Sequence, residues 1–154
     1  MMDEKSVIKL ELYRLLLNRI DENIAALEHD VRELQLSANE ETKSSAGDKY
    51  ETGRAMVQIE IERLGFQLQD KIRSKQLLKT FQVDQISQHV QSGAIAETSA
   101  GNFFFLINGG EFVMDGKTFM IISIQAPLGK LLSGRMSGEE VTLNNRRISV
   151  KDVY

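Results

Sequence analysis

Asp48 and Glu51 stand three residues apart in Gly47-Asp48-Lys49-Tyr50-Glu51, a spacing that puts two carboxylates on one face of a helix. In that pattern the aspartate accepts an amide hydrogen bond at a helix start. The glutamate completes an Asp-x-x-Glu capping box, and the glycine ends the helix before it. A bare cap does not need the charge crowded around this one. Residues 40–54 mix the acids Glu40, Glu41, Asp48 and Glu51 with the bases Lys43, Lys49 and Arg54, and Ser44, Ser45, Tyr50 and Thr52 lie between them. Basic side chains in such a setting suit contact with RNA, a nucleotide phosphate or a protein carboxylate. Solvated helix-end charge is the plainer reading of the same residues.

Residue types exclude much other chemistry. The 154 residues include no cysteine, which removes disulfides, thiol nucleophiles and Cys-ligated zinc together. The two histidines, His29 and His89, are far apart in sequence and read as solvated surface residues. Lys43-Ser44-Ser45-Ala46-Gly47-Asp48-Lys49 lacks the spacing of a phosphate-binding loop, and no strand precedes it. No nucleophile–base set or cofactor motif is present, so the expectation is a protein that is not itself an enzyme and has no small-molecule substrate. A net charge of −3 argues against broad binding to bare duplex DNA. Charges interrupt the apolar residues at the N-terminus, and no stretch reaches membrane-spanning length. With 42% hydrophobic and 27% charged residues, the composition is that of a soluble globular chain, expected in the cytoplasm with no membrane partner.

The elements that must hold the carboxylates show two periods. From Ile8 to Ala38 the apolar residues recur at steps of three and four, with Ile20, Ile24, Leu27, Val31, Leu34 and Ala38 in one stripe. Some 30 residues of helix extend roughly 45 Å. A second stripe, Val57, Ile61, Leu64, Leu68 and Ile72, continues towards Leu78. Two long helices joined by a tight connection lie antiparallel with their stripes facing. Residues 1–80 therefore read as an antiparallel coiled-coil hairpin whose tip is residues 39–56. The extra apolar residues Leu10, Leu15, Leu16 and Leu17 sit near its base, where they are expected to pack on the second domain.

After about Phe81 the period falls to two. Gly101-Asn102, Asp115-Gly116 and Asn144-Asn145 each separate two apolar-alternating runs, and such pairs supply the positive φ of tight hairpins. Pro127 opens a helical turn or two. The expected fold class is α+β: the hairpin, then a small antiparallel β domain with one short helix over residues 81–154. Of the consecutive phenylalanines, Phe103 and Phe105 are expected in the core of one sheet face. Phe104 then lies on the other face, either against a helix or in an exposed patch.

Ile122 to Leu143, ISIQAPLGKLLSGRMSGEEVTL, resembles the C-terminal signature of the bacterial Gre transcript-cleavage factors, and the closing RRISVKDVY resembles their last strand. That family joins an N-terminal coiled-coil hairpin to an FKBP-like domain. The resemblance implies that the β domain docks on RNA polymerase, with Pro127, Lys130 and Arg135 in the docking segment, while the hairpin enters the secondary channel. It further implies that Asp48 and Glu51 help hold Mg²⁺ beside the 3′ end of nascent RNA, with Lys43, Lys49, Tyr50 and Arg54 as tip contacts, and that the polymerase cleaves its own backtracked transcript. Lys49 departs from the family, which has leucine there, and a cation beside the carboxylates competes with Mg²⁺. A regulator that fills the channel without stimulating cleavage is the alternative expectation, and a coiled-coil interaction module is another. An FKBP-like domain also raises prolyl isomerase chemistry, which uses an aromatic-lined pocket, but the chain has no tryptophan.

Overall fold

A computed structural model describes residues 3–43 and 48–154, with side chains described outside 41–51. Helix α1 (Glu4–Lys43) starts where the Asp3 carboxylate accepts the Ser6 amide at 2.7 Å, a bond that also holds the Asp3 carboxyl below its usual range. Helix α2 (Asp48–Leu78) ends where the Thr80 amide and hydroxyl both donate to the Leu77 carbonyl oxygen. The chain divides into two compact units. One comprises residues up to Leu17 together with Leu77–Tyr154, and the other is Asn18–Gln76.

The helical unit is an antiparallel hairpin. Lys75 on α2 pairs with Asp21 on α1 at 2.6 Å, and Gln35 and Ala38 line one cleft with Gln58 and Ile61. Partner numbers that fall on one helix as they rise on the other identify the antiparallel sense. Ile20 and Leu64 are buried, and Val31, Leu34, Ala38, Val57, Ile61, Leu68 and Ile72 are half-buried, so both expected stripes face inward.

The other unit is built on six strands: β1 (Ile95–Thr98), β2 (Gly101–Leu106), β3 (Gly110–Met114), β4 (Lys117–Ser123), β5 (Glu140–Leu143) and β6 (Arg146–Val153). Their order is β3-β4-β2-β1-β6-β5, and helix α3 (Pro127–Leu132) follows β4. The fold class is α+β as expected, but the sheet is mixed. Strands β2 and β4 run parallel, with Phe104 beside Ile121, while the other pairs are antiparallel. After β2 the chain passes the vacant neighbouring place, forms β3 at the edge and returns as β4 into the gap. Asp115 and Gly116 (φ 53° and 75°) and Asn144 and Asn145 (φ 50° and 64°) make the expected hairpin turns. The first hairpin differs. Its turn is Ser99-Ala100, held by the Thr98 hydroxyl, which donates to the Gly101 carbonyl oxygen and accepts the Ala100 amide. Gly101 and Asn102 lie in β2, paired with Thr98 and Glu97.

Both sheet faces are covered within this unit. On one, Ile95, Phe104 and Ile121 form a fully buried row, and the Leu16 side chain comes so close to Gly109 that a Cβ there would stand 2.6 Å from Leu16 Cδ1. Leu12 and Leu16 of α1 are buried, so the first turns of α1 belong to this core. On the other, Phe105, Ala96, Leu132, Val141, Ile148 and Val150 form a core to which α3 contributes, and Phe103 packs partly against it. Phe104 is thus buried rather than part of an exposed patch.

Candidate functional site

Asp48, Lys49, Tyr50 and Glu51 occupy the first turn of α2, and Lys43 is the last residue of α1. Their side chains, and residues 44–47, lie outside the described residues. The backbone places both carboxylates at the start of one helix, three residues apart. Arg54, the remaining expected tip contact, is exposed and lines the cleft of about 260 Å³ that it shares with Gln35, Asn39 and Gln58.

The residues expected to dock, Pro127, Lys130 and Arg135, gather on and after α3. Pro127 is at the start of the helix, where its missing N–H costs nothing, and it is exposed. Lys130 is exposed in the last turn. Gly129 faces inward with no room to spare: a Cβ would sit 2.5 Å from the Ser123 carbonyl oxygen and 2.6 Å from that of Ile124. Arg135 points into its own loop and donates to the Glu139 carboxylate at 3.2 Å, and Glu139 also accepts the Met136 amide. The Arg135 guanidinium, then the Met136 N–H, hold the Glu139 carboxyl below its usual range. Arg135 therefore braces the loop after α3, while Pro127 and Lys130 present their side chains to solvent.

Beside α3 lies an open groove of about 360 Å³ that no single stretch of sequence announces. Its floor is Phe103 from β2, Leu128 from α3, and Leu143 and Ile148 from the last hairpin, with Asn144 and Arg146 at the rim. Phe103 is the aromatic residue among those lining it, so it is not the aromatic-walled pocket of prolyl isomerases.

Lys9 was missed by sequence reasoning. Its side chain is fully buried, and its ammonium donates to the Gln85 carbonyl oxygen at 2.6 Å. Burial pushes its pKa down to about 8, opposed by the charge of Asp84. The signal was available: stepping back from Ile20 by fours and a three gives Leu16, Leu12 and then Lys9 on the buried side of α1. Nearby in chain order, Lys5 pairs with Asp152 at 2.9 Å and stands 5.2 Å from the centre of the Tyr154 ring. The Tyr154 hydroxyl donates to Glu97, which also receives Lys117. Burial, then the Glu97 charge, raises the phenol pKa.

Among the described residues no group of three or more His, Asp or Glu side chains is placed to hold a metal ion, and no helix is long and apolar enough to cross a membrane. His29 and His89 are both exposed. In comparisons with known proteins, the chain matches no family model, no curated protein and no solved structure.

Proposed function

We propose that this chain binds a bacterial RNA polymerase and acts through its secondary channel, with Asp48 and Glu51 assisting Mg²⁺-dependent cleavage of backtracked RNA. The observation that carries this reading is an antiparallel hairpin of a 40-residue and a 31-residue helix whose connection falls beside the two carboxylates. At 1.5 Å per residue the part of α1 beyond Leu17, residues 18–43, extends roughly 39 Å, a length suited to carrying a small acidic group into a narrow channel. The α3 segment supports the docking half, with Pro127 and Lys130 exposed and Arg135 stiffening the loop behind them.

The donor set fits a hard divalent ion, which keeps several waters and accepts one or two carboxylates. Such an ion supplies charge stabilisation to a phosphodiester displacement. Asp48 and Glu51 contribute oxygen ligands, and the hydrolytic chemistry belongs to the polymerase. This chain then acts as a factor rather than an enzyme, and its localisation is that of the polymerase, the cytoplasm.

Stalled, backtracked elongation complexes test the reading. Wild-type protein shortens the transcript from its 3′ end, whereas Asp48→Ala and Glu51→Ala bind the polymerase equally well and lose most of the stimulation. Failure to bind polymerase at micromolar concentration rejects the proposal. Binding without shortening, together with inhibited initiation, selects the channel-filling regulator, a second reading favoured by the cation Lys49 between the two acids.

A further inference from the structure

Helix α2 carries a second apolar series that the hairpin does not use. Met56, Ile59 and Phe66 are 66%, 64% and 73% exposed. With Arg63, Asp70 and Arg73 they recur at alternating steps of three and four residues, which keeps all six on one side of the helix. The inward stripe of Val57, Ile61, Leu64, Leu68 and Ile72 lies on the other side.

The charges on this face are self-complementary. Reflected about the midpoint between Phe66 and Gln67, Arg63 falls opposite Asp70, of opposite sign, and the two-fold repeats the pair. We infer that this face binds a second copy of the chain, α2 against α2, antiparallel about a two-fold axis beside Phe66. Within each helix Glu60 is paired with Arg63 and Asp70 with Arg73. Antiparallel docking joins these pairs end to end, Arg63 meeting Asp70 of the other copy, so that signs alternate on both sides of the axis. An in-register parallel pair sets every charge against its own kind. The two Phe66 rings meet at the centre, beside the axis. From Met56 to Arg73 the face is roughly 27 Å long. That length belongs at the small end of specific interfaces, and the dimer is accordingly a reversible one with micromolar dissociation. The inference does not depend on the polymerase reading.

Sedimentation equilibrium of the full chain at low salt, over micromolar concentrations, tests it. The wild-type protein follows a monomer–dimer equilibrium, and Phe66→Ser weakens it at least about tenfold. Arg63→Asp alone and Asp70→Arg alone each weaken it by a similar factor, since the two-fold axis repeats every repulsion. The double variant Arg63→Asp/Asp70→Arg recovers the wild-type dimer, and an equimolar mixture of the two single variants forms the heterodimer. All these positions are exposed, so circular dichroism remains that of the wild type. A chain that stays monomeric throughout overturns the inference. So does a dimer indifferent to the single swaps, or one that the double swap fails to restore.

Discussion

Burying an ammonium ordinarily requires a carboxylate partner, and Lys9 instead has its Nζ on a backbone carbonyl, with Asp84 acting only through its charge. The fold therefore favours the neutral amine. With a folded pKa of about 8 against an ordinary 10.5, the unfolded chain holds a proton between those values that the fold has released. Stability consequently rises with pH across that window, and the gain is lost as pH falls through 8. Tyr154 acts in the opposite direction above pH 10, because its phenol stays protonated in the fold after the unfolded chain has ionised. Urea unfolding at intervals from pH 7 to 10 should show the rise in the wild type and its absence in Lys9→Met. At pH 7 that variant is expected to be about 1 kcal/mol more stable, as when a buried charge gives way to a hydrophobic group of similar volume. An unchanged slope in Lys9→Met would show that other groups carry it.

At the level of elements, α3 is a short helix held by contact rather than propensity. Gly129 brings its backbone against the carbonyls of Ser123 and Ile124, closer than any Cβ allows. Gly129→Ala is therefore expected to cost about 1–3 kcal/mol by forced overpacking. The melting temperature should fall, and the groove formed by Phe103, Leu128 and Leu143 should widen. Elements of this kind were only partly legible in the sequence. The helices were, because steps of three and four residues persist for many turns. Two of the three hairpin turns were, because Asp115-Gly116 and Asn144-Asn145 state their φ requirement in their chemistry. The Ser99-Ala100 turn was not, since it rests on the Thr98 hydroxyl while the neighbouring Gly101-Asn102 looks more turn-like. Nor was the parallel β2–β4 pairing, because alternation fixes which way a side chain faces and not which strand lies alongside. The candidate site divides the same way. Asp48 and Glu51 are legible as residue types at helical spacing. The groove beside α3 is not, because its lining comes from segments far apart in the chain.

Across the whole molecule, the sheet-bearing unit is discontinuous. It takes residues up to Leu17, gives way to Asn18–Gln76, and resumes at Leu77. Its two pieces meet where the Tyr13 hydroxyl donates to the Leu78 carbonyl oxygen at 3.4 Å, and where Lys9 reaches Gln85. Among the described residues, Leu12, Leu16, Ile95, Phe104 and Ile121 on one sheet face and Phe105, Leu132, Val141, Ile148 and Val150 on the other all belong to this unit. Replacing residues 18–76 by a short Gly/Ser linker should thus leave a domain that melts cooperatively and keeps dispersed amide resonances. On the proposed function it also no longer shortens backtracked RNA, because Asp48 and Glu51 are gone. A molten product would mean that the sheet needs the excised helices for its stability.

The same discontinuity sets the order of events during synthesis. Leu12 and Leu16 are made before Ile95, Phe104 and Ile121, which are buried in the same unit but come many tens of residues later in the chain. At about 5–20 residues per second that strip of leucines stays bare for several seconds on every nascent chain.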